Sequence, residues 1–464
     1  MIYLFLIYKT LLSYIPTWKK SINLAWPITV DKSLRTFMRT TDIIVTGLFS
    51  PAAIAAIGLA DLYAQIPTRI GTGLGGGAIA LSSQDTGSGA INNRDETITQ
   101  ALILGAIFGI PMAIFGVFFG YYAIKILGAP NEVAQMGGTY LAIIFLTAPA
   151  RHVGFVGSRS LQGVGDTVTP MKINMAANGV NILITVLLGL GIGIFPMLGI
   201  VGVGIGTASG NVLAALLFLI FIYLSKEINI VKPTSFIILK QLLIISYPRM
   251  LEGLSTTAAE FPFNSILLLF SVEANAAWQV ARRLYQQVTG PMTRAANVVT
   301  NIIAGQQIGA GEYDAARSDT YAIVILGAVC MIPLSVIMIF TPELLVNIFT
   351  SDPDTIAIAT YFTIVYGFCG LFEVMFRIFS GVLQAAGDTR KPFIAEIISI
   401  FLFMVGFSYI GSVYLEYGLI TVYISIALYF ATKSLLVAFW FFNSEWDIYA
   451  ENLMKDRGSI VNGG

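Results

Sequence analysis

Residues 101–124 read ALILGAIFGIPMAIFGVFFGYYAI, a run without a single charged side chain. About 20 apolar residues in a helix cross the hydrocarbon core of a bilayer, which is about 30 Å thick. Comparable runs recur along the chain, broken by short polar words. They predict twelve transmembrane helices at about 22–48, 52–83, 98–127, 133–162, 170–193, 197–225, 237–270, 274–305, 318–349, 354–386, 392–412 and 418–443. The ten-residue alternation of an outer-membrane barrel is missing, so the expected architecture is an all-α membrane bundle. Length alone would allow two or three soluble domains. Charged residues, however, make up only 11% of the 464 positions, where a soluble domain has about a quarter.

Composition also removes several function classes. Lysine plus arginine and aspartate plus glutamate balance at 26 each, which leaves no basic footprint for nucleic acid. Cys330 and Cys369 are the only cysteines and His152 the only histidine. No disulfide framework, zinc site or Ser-His pair can be built from them. Every loop is short, and none carries a convergent polar motif, so no enzyme and no cofactor is expected. GTGLGG (71–76) fits a dinucleotide-binding pattern, but it lies inside a span and reads as close helix packing through small residues. The opening MIYLFLIYKTLLSY has neither a basic leader region nor a small-residue cleavage site. It reads as an interfacial tail.

Loop charge sets the orientation. Lys19, Lys20, Arg94, Lys172, Lys226, Lys232, Arg317, Arg390, Lys391, Lys455 and Arg457 fall at the termini and in alternate connections. The intervening connections near Ser50, Asn131, Pro196, Glu273, Asp352 and Glu416 hold almost none, with Lys125 the nearest exception. Both termini are therefore expected in the cytoplasm of a multi-pass protein of the cell membrane.

The chain also repeats itself. LQGVGDTVTP (161–170) returns as LQAAGDTRKP (383–392), and QDTGSG (84–89) lies over QQIGAG (306–311). Two six-helix halves with an even number of spans each face the same way, so the repeat is parallel. The expected organisation is a tail at 1–21, an N-lobe at 22–225, a linker at 226–240, a C-lobe at 241–443 and a C-terminal tail at 444–464. In each repeated word, Gly165 with Asp166 and Gly387 with Asp388 read as hinges and caps, with Asp and Thr capping the next helix.

The strongest chemical signal is VDKSLRTFMRTTD (30–42). Asp31, Arg35, Arg39 and Asp42 fall within about 80° of one another on a helix. Each costs about 2.5–3.5 kcal/mol at the bilayer centre, so the four must face a wet cavity or charged partners. A ladder from Asp31 to Arg35 is one arrangement and a substrate cavity is the other. Glu373 and Arg377 have the spacing of an intrahelical pair. Arg283 and Arg294 lie eleven positions apart, on one face of the eighth span. So many arginines give anionic or zwitterionic substrates equal standing with cationic ones.

Twelve spans, duplicated halves, Q..G.G after the second and eighth spans and LQ..GDT..P after the fourth and tenth together resemble the multidrug and toxic compound extrusion (MATE) family. TTDIIVTGLFSPAAIAAIGLA also resembles that family's first helix and loop. The resemblance implies a V-shaped two-lobe antiporter, working as a monomer, that exports small organic molecules in exchange for protons or sodium by rocking. It identifies Asp42 with the family's first-helix carboxylate. It also selects Asn181, Thr185 and Thr207 as further ion ligands, with Thr185 standing where the family has a second carboxylate. Thr256 takes the place of a cation-binding glutamate found in another branch, and Glu260 lies one turn away as a cavity candidate. The rival reading from the wider superfamily is a flippase for lipid-linked oligosaccharide precursors or related anionic lipids.

Overall fold

The computed structural model describes residues 11–225 and 227–459. Residues 1–10 of the expected tail and Lys226 of the basic linker lie outside these. The described residues form helices throughout: α1 (Ile15–Gly47), α2 (Pro51–Gly87), α3 (Ile91–Lys125), α4 (Asn131–Leu146), α5 (Ala148–Gly163), α6 (Val168–Leu190), α7 (Ile200–Leu224) and α8 (Phe236–Leu268). There follow α9 (Val272–Val288), α10 (Gly290–Gly309), α11 (Tyr313–Phe340), α12 (Pro342–Val346), α13 (Pro353–Ala385), α14 (Arg390–Ile398), α15 (Leu419–Asn443) and α16 (Trp446–Asp456). Beyond α14 the chain continues as π-helix over Ser399–Phe407 and Ile410–Tyr414.

Twelve spans in two six-helix halves account for these elements. Seven helices are long and apolar enough to cross a membrane, and the bent pair α4–α5, angled by 49°, makes an eighth span. The remaining four are α1, α2, α8 and the pair α9–α10, the first two spans of each half. Charged and small residues dilute their apolar character, Asp31, Arg35, Arg39 and Asp42 of α1 among them.

Local sequence explains most boundaries. Asp352 accepts the Thr355 N–H at 2.9 Å ahead of Pro353, and Ser271 accepts the Ala274 N–H at 3.0 Å ahead of α9. α6 ends at Gly191 in the left-handed region, φ +68°. Two expected spans are interrupted. The fourth bends at Thr147 ahead of Pro149, and the eighth breaks at Thr289 ahead of Pro291, since proline removes a backbone donor and crowds the preceding turn.

Contacts divide the chain into two compact units. Of the described residues, one comprises 30–82 and 90–250; the other comprises 11–29, 83–89 and 251–459. Small residues set the packing in the first. A Cβ at Gly206 of α7 would collide with Thr185 Oγ1, and one at Gly202 would meet the Gly189 nitrogen of α6 at 2.6 Å. The glycine-rich run of α2 works in the same way, with Gly73 against Met250. In the second unit, the Q..G.G words pack together: a Cβ at Gly87 would collide with the Gln306 carbonyl, and one at Gly309 with that of Gln84.

The C-terminal region holds an ordered helix. Trp446, Ala450 and Met454, spaced four apart, are each at most 1% exposed. Arg317 pairs with Asp447 at 2.9 Å. Arg457 donates to Asp85 at 2.8 Å and to Gln84 at 2.6 Å, and Ser459 adds a bond to Asp85 at 2.7 Å.

Candidate functional site

Asp42 sits five residues before the end of α1, on the side turned toward α6 and α7. Both partners approach closely because α7 presents Gly202, Gly206 and Gly210 to α6 at intervals of four. Asp42, Asn181 and Thr185 are buried, at 8%, 2% and 0% exposure. The Thr185 hydroxyl lies 3.2 Å from Asp42 Oδ1 and 3.3 Å from Asn181 Oδ1. One hydroxyl proton therefore faces two acceptors. The Thr207 hydroxyl is buried and approaches both Asp42 and Tyr140, yet closes a well-aligned hydrogen bond with neither. The structure thus brings Asp42, Asn181, Thr185 and Thr207 into one oxygen-lined pocket and adds Tyr140, 5% exposed, which sequence reasoning passed over. Every ligand is oxygen and one is a carboxylate, a donor set suited to a proton or a hard monovalent cation.

The other charges of α1 are distributed differently from the expected ladder. Asp31 pairs with Lys32 at 3.1 Å and not with Arg35. Arg35 lies over the Phe155 ring of α5 at 5.0 Å. The four-residue spacing permits an Asp31–Arg35 pair, but the aromatic face on α5 draws the guanidinium away. Arg39 pairs with Asp61 of α2 at 3.5 Å, both half-exposed.

Glu260 is bound to Arg282, which also covers the Trp278 ring at 5.0 Å. Thr256 donates to Glu396 at 3.4 Å. The shared face expected for Arg283 and Arg294 is corrected by the structure. The break at Thr289 puts Arg283 on α9 and Arg294 on α10, so an eleven-residue spacing no longer implies one stripe. Both are exposed.

In the second unit, Arg377 meets Glu373 at 2.6 Å, and Lys433 of α15 reaches Glu373 at 2.8 Å and Glu396 at 3.6 Å. Tyr429 donates to Glu396 and accepts from Lys433 at 3.0 Å. Two cations and two carboxylates balance inside the membrane, as buried charges must. Glu396 and Lys433 were legible as lone charges in apolar runs, the signature of an intramembrane ionisable group. Their pairing was not, because they lie on separate helices.

At the repeated words the backbone turns through Gly165 at φ +99° and Gly387 at φ +88°. Asp166 accepts the N–H groups of Val168 and Thr169 at 3.0 and 2.9 Å, capping α6. Asp388 instead holds Lys391 at 2.5 Å. Thr167 and Thr389, expected to cap, make no side-chain cap hydrogen bond.

The MatE family model matches residues 27–187 and 248–410. Among curated relatives, the probable multidrug resistance protein NorM of Thermotoga maritima is 23% identical over 443 residues, covering 92% of this chain and 93% of its own. The multidrug export protein MepA of Staphylococcus aureus is 25% identical over 391 residues, covering 82% and 85%. Among solved structures, a MOP superfamily transporter from Pyrococcus furiosus superposes with a TM-score of 0.86 at 20% identity, covering 94% of this chain and 96% of its own.

Proposed function

Because this chain belongs to the MatE family, we propose that it is a secondary active exporter that expels small organic molecules from the cell in exchange for protons, with Asp42 carrying the coupling ion. A relative named as a probable multidrug resistance protein and one named as a multidrug export protein, matched over 93% and 85% of their lengths, support the export reading. The observation that carries the coupling is the buried set of Asp42, Thr185, Asn181 and Thr207.

The hydrogen bonding of this set is incomplete. With Asp42 ionised, the Thr185 proton serves only one of two acceptors, and Thr207 stands without an aligned partner. A proton on Asp42 turns that carboxylate into a donor aimed at these oxygens and removes a charge from a buried pocket. Sodium would use the same four oxygens, but with a single negative charge to hold it. Protonation and release at Asp42 then bias the first unit between two arrangements. The left-handed glycines at 165 and 387 are the joints at which the halves rock. Orientation with both termini in the cytoplasm follows the lysine and arginine asymmetry of the loops.

Reconstituted vesicles preloaded with ethidium provide the test, with pH and sodium jumps applied separately. An outward-directed flux is expected from the pH jump alone. Asp42→Asn is expected to abolish that flux while leaving the melting temperature within a few degrees of the parent. Undiminished efflux in that variant removes Asp42 from the mechanism. Efflux driven by sodium alone replaces the proton with sodium at the same site.

A further inference from the structure

A second charged cluster lies inside the first unit, formed by residues outside the coupling set. Helix α5 is almost wholly covered: from His152 to Gly163 only Phe155 and Arg159 are not buried. With Arg151 they make a stripe at intervals of four. Arg35 of α1 and Arg151 both lie over the Phe155 ring, at 5.0 and 5.7 Å. On α2, successive glycines leave room for two more cations. A Cβ at Gly75 would come within 2.7 Å of Arg159 Cγ, and one at Gly76 within 2.5 Å of Arg249 Nη1. Arg159 is in electrostatic reach of the cations Arg249, Arg35 and Lys32 and of one carboxylate, Asp31.

Neutralising groups are scarce. Asp31, 3% exposed, is taken by Lys32 at 3.1 Å. Among the described residues, Arg35, Arg151 and Arg159 have no carboxylate within ion-pair distance. Their polar contacts are few: Arg151 donates to the Thr68 hydroxyl at 2.6 Å, and Arg159 to Gln162 Oε1 at 3.0 Å. Each guanidinium has five N–H donors in a planar fork, so most remain to be used. Uncompensated cations at this depth of a span are expensive unless an anion or water meets them. A single carboxylate offers one charge, whereas a phosphate ester carries close to two and three acceptor oxygens.

We propose that Arg35, Arg151 and Arg159 form an oxyanion site that binds the phosphate group of an organic phosphate, and that such molecules are a substrate class of this transporter. The site itself stands on the geometry; its service to transport rests on the exporter reading. The same chemistry is offered by a soluble aryl phosphate or by an anionic lipid headgroup.

Calorimetry on the purified full chain, with phenyl phosphate as the soluble probe and phosphatidic acid in nanodiscs as the lipid probe, tests the site. Arg35→Gln and Arg159→Gln should each weaken phosphate binding by about tenfold or more, the scale of a lost hydrogen bond to a charged group. Asp31→Asn should tighten it by removing the competing carboxylate, a gain that misfolding cannot imitate. Binding of phenyl phosphate with these changes supports a soluble substrate. Binding of phosphatidic acid alone, with the same changes, supports a lipid one. No binding of either probe at millimolar concentration, or binding indifferent to all three substitutions, overturns the site. Ethidium efflux persisting without phosphate binding defeats this proposal alone. Phosphate binding without gradient-driven flux of ethidium or phenyl phosphate leaves the site standing and defeats the exporter reading together with the site's service to transport.

Discussion

At the scale of single residues, the informative position is Thr185. It stands between Asp42 and Asn181 as a neutral hydroxyl, at 3.2 and 3.3 Å. Site charge tunes affinity for hard cations over decades. Thr185→Asp is therefore expected to bring sodium into competition with the proton, raising apparent sodium affinity by about tenfold or more. Sodium-jump efflux in vesicles measures this; a variant still indifferent to sodium would refute the assignment of Thr185 to the coupling set. Asp42 was legible in the sequence because a carboxylate in an apolar run is costly wherever the helix lies. Tyr140 was not, since a tyrosine in a span has many ordinary uses and only the packing of α4 on α7 brings it to Thr207. Lys32 and Arg249 were missed for the same reason: their meaning comes from the arginines beside them.

Among the elements, the two joints after α5 and α13 differ in a way that their shared letters conceal. Both turn through a glycine at positive φ, yet Asp166 caps the next helix while Asp388 holds a lysine. A side chain with a Cβ in the left-handed region costs about 1–2 kcal/mol. Gly165→Val and Gly387→Val together should lower stability by about 2–4 kcal/mol on that scale. They should also slow exchange several-fold while leaving substrate affinity near the parent value. Separate measurement of binding and turnover checks this; a large affinity loss with normal turnover contradicts the hinge role. Most helix ends lay close to their expected positions because caps, prolines and glycines are local signals. Hydropathy is blind to the breaks at Thr147 and Thr289, though Pro149 and Pro291 mark them locally, and to the π-helical stretch after α14. The helix Trp446–Asp456 was readable in the four-residue spacing of Trp446, Ala450 and Met454, but a short amphipathic segment beyond the last span gives a weak signal.

For the whole molecule, the decisive contact is the ion pair of Arg457 with Asp85, both side chains fully buried. It ties the C-terminal end of α2 to the C-terminal segment of the chain, 372 positions away. Removing one partner of a buried pair costs about 3–5 kcal/mol, because the survivor is left charged and unmatched. Arg457→Ala should therefore lower the melting temperature markedly, and Asp85→Asn in the same chain should recover part of the loss. A single variant as stable as the parent would show that the pair does not hold the unit together. The sequence by itself determined the membrane class, the twelve spans, the duplication and the placing of a carboxylate, Asp42, inside a span. Each of these follows from solvation costs and backbone preferences that act residue by residue along the chain. Only the tertiary structure decided which charges meet: Lys433 with two glutamates, Arg35 with Phe155 in place of Asp31, and Arg159 of α5 with Arg249. Pairing of this kind depends on the register and rotation of helices far apart in the chain, and glycine contacts between their backbones set both.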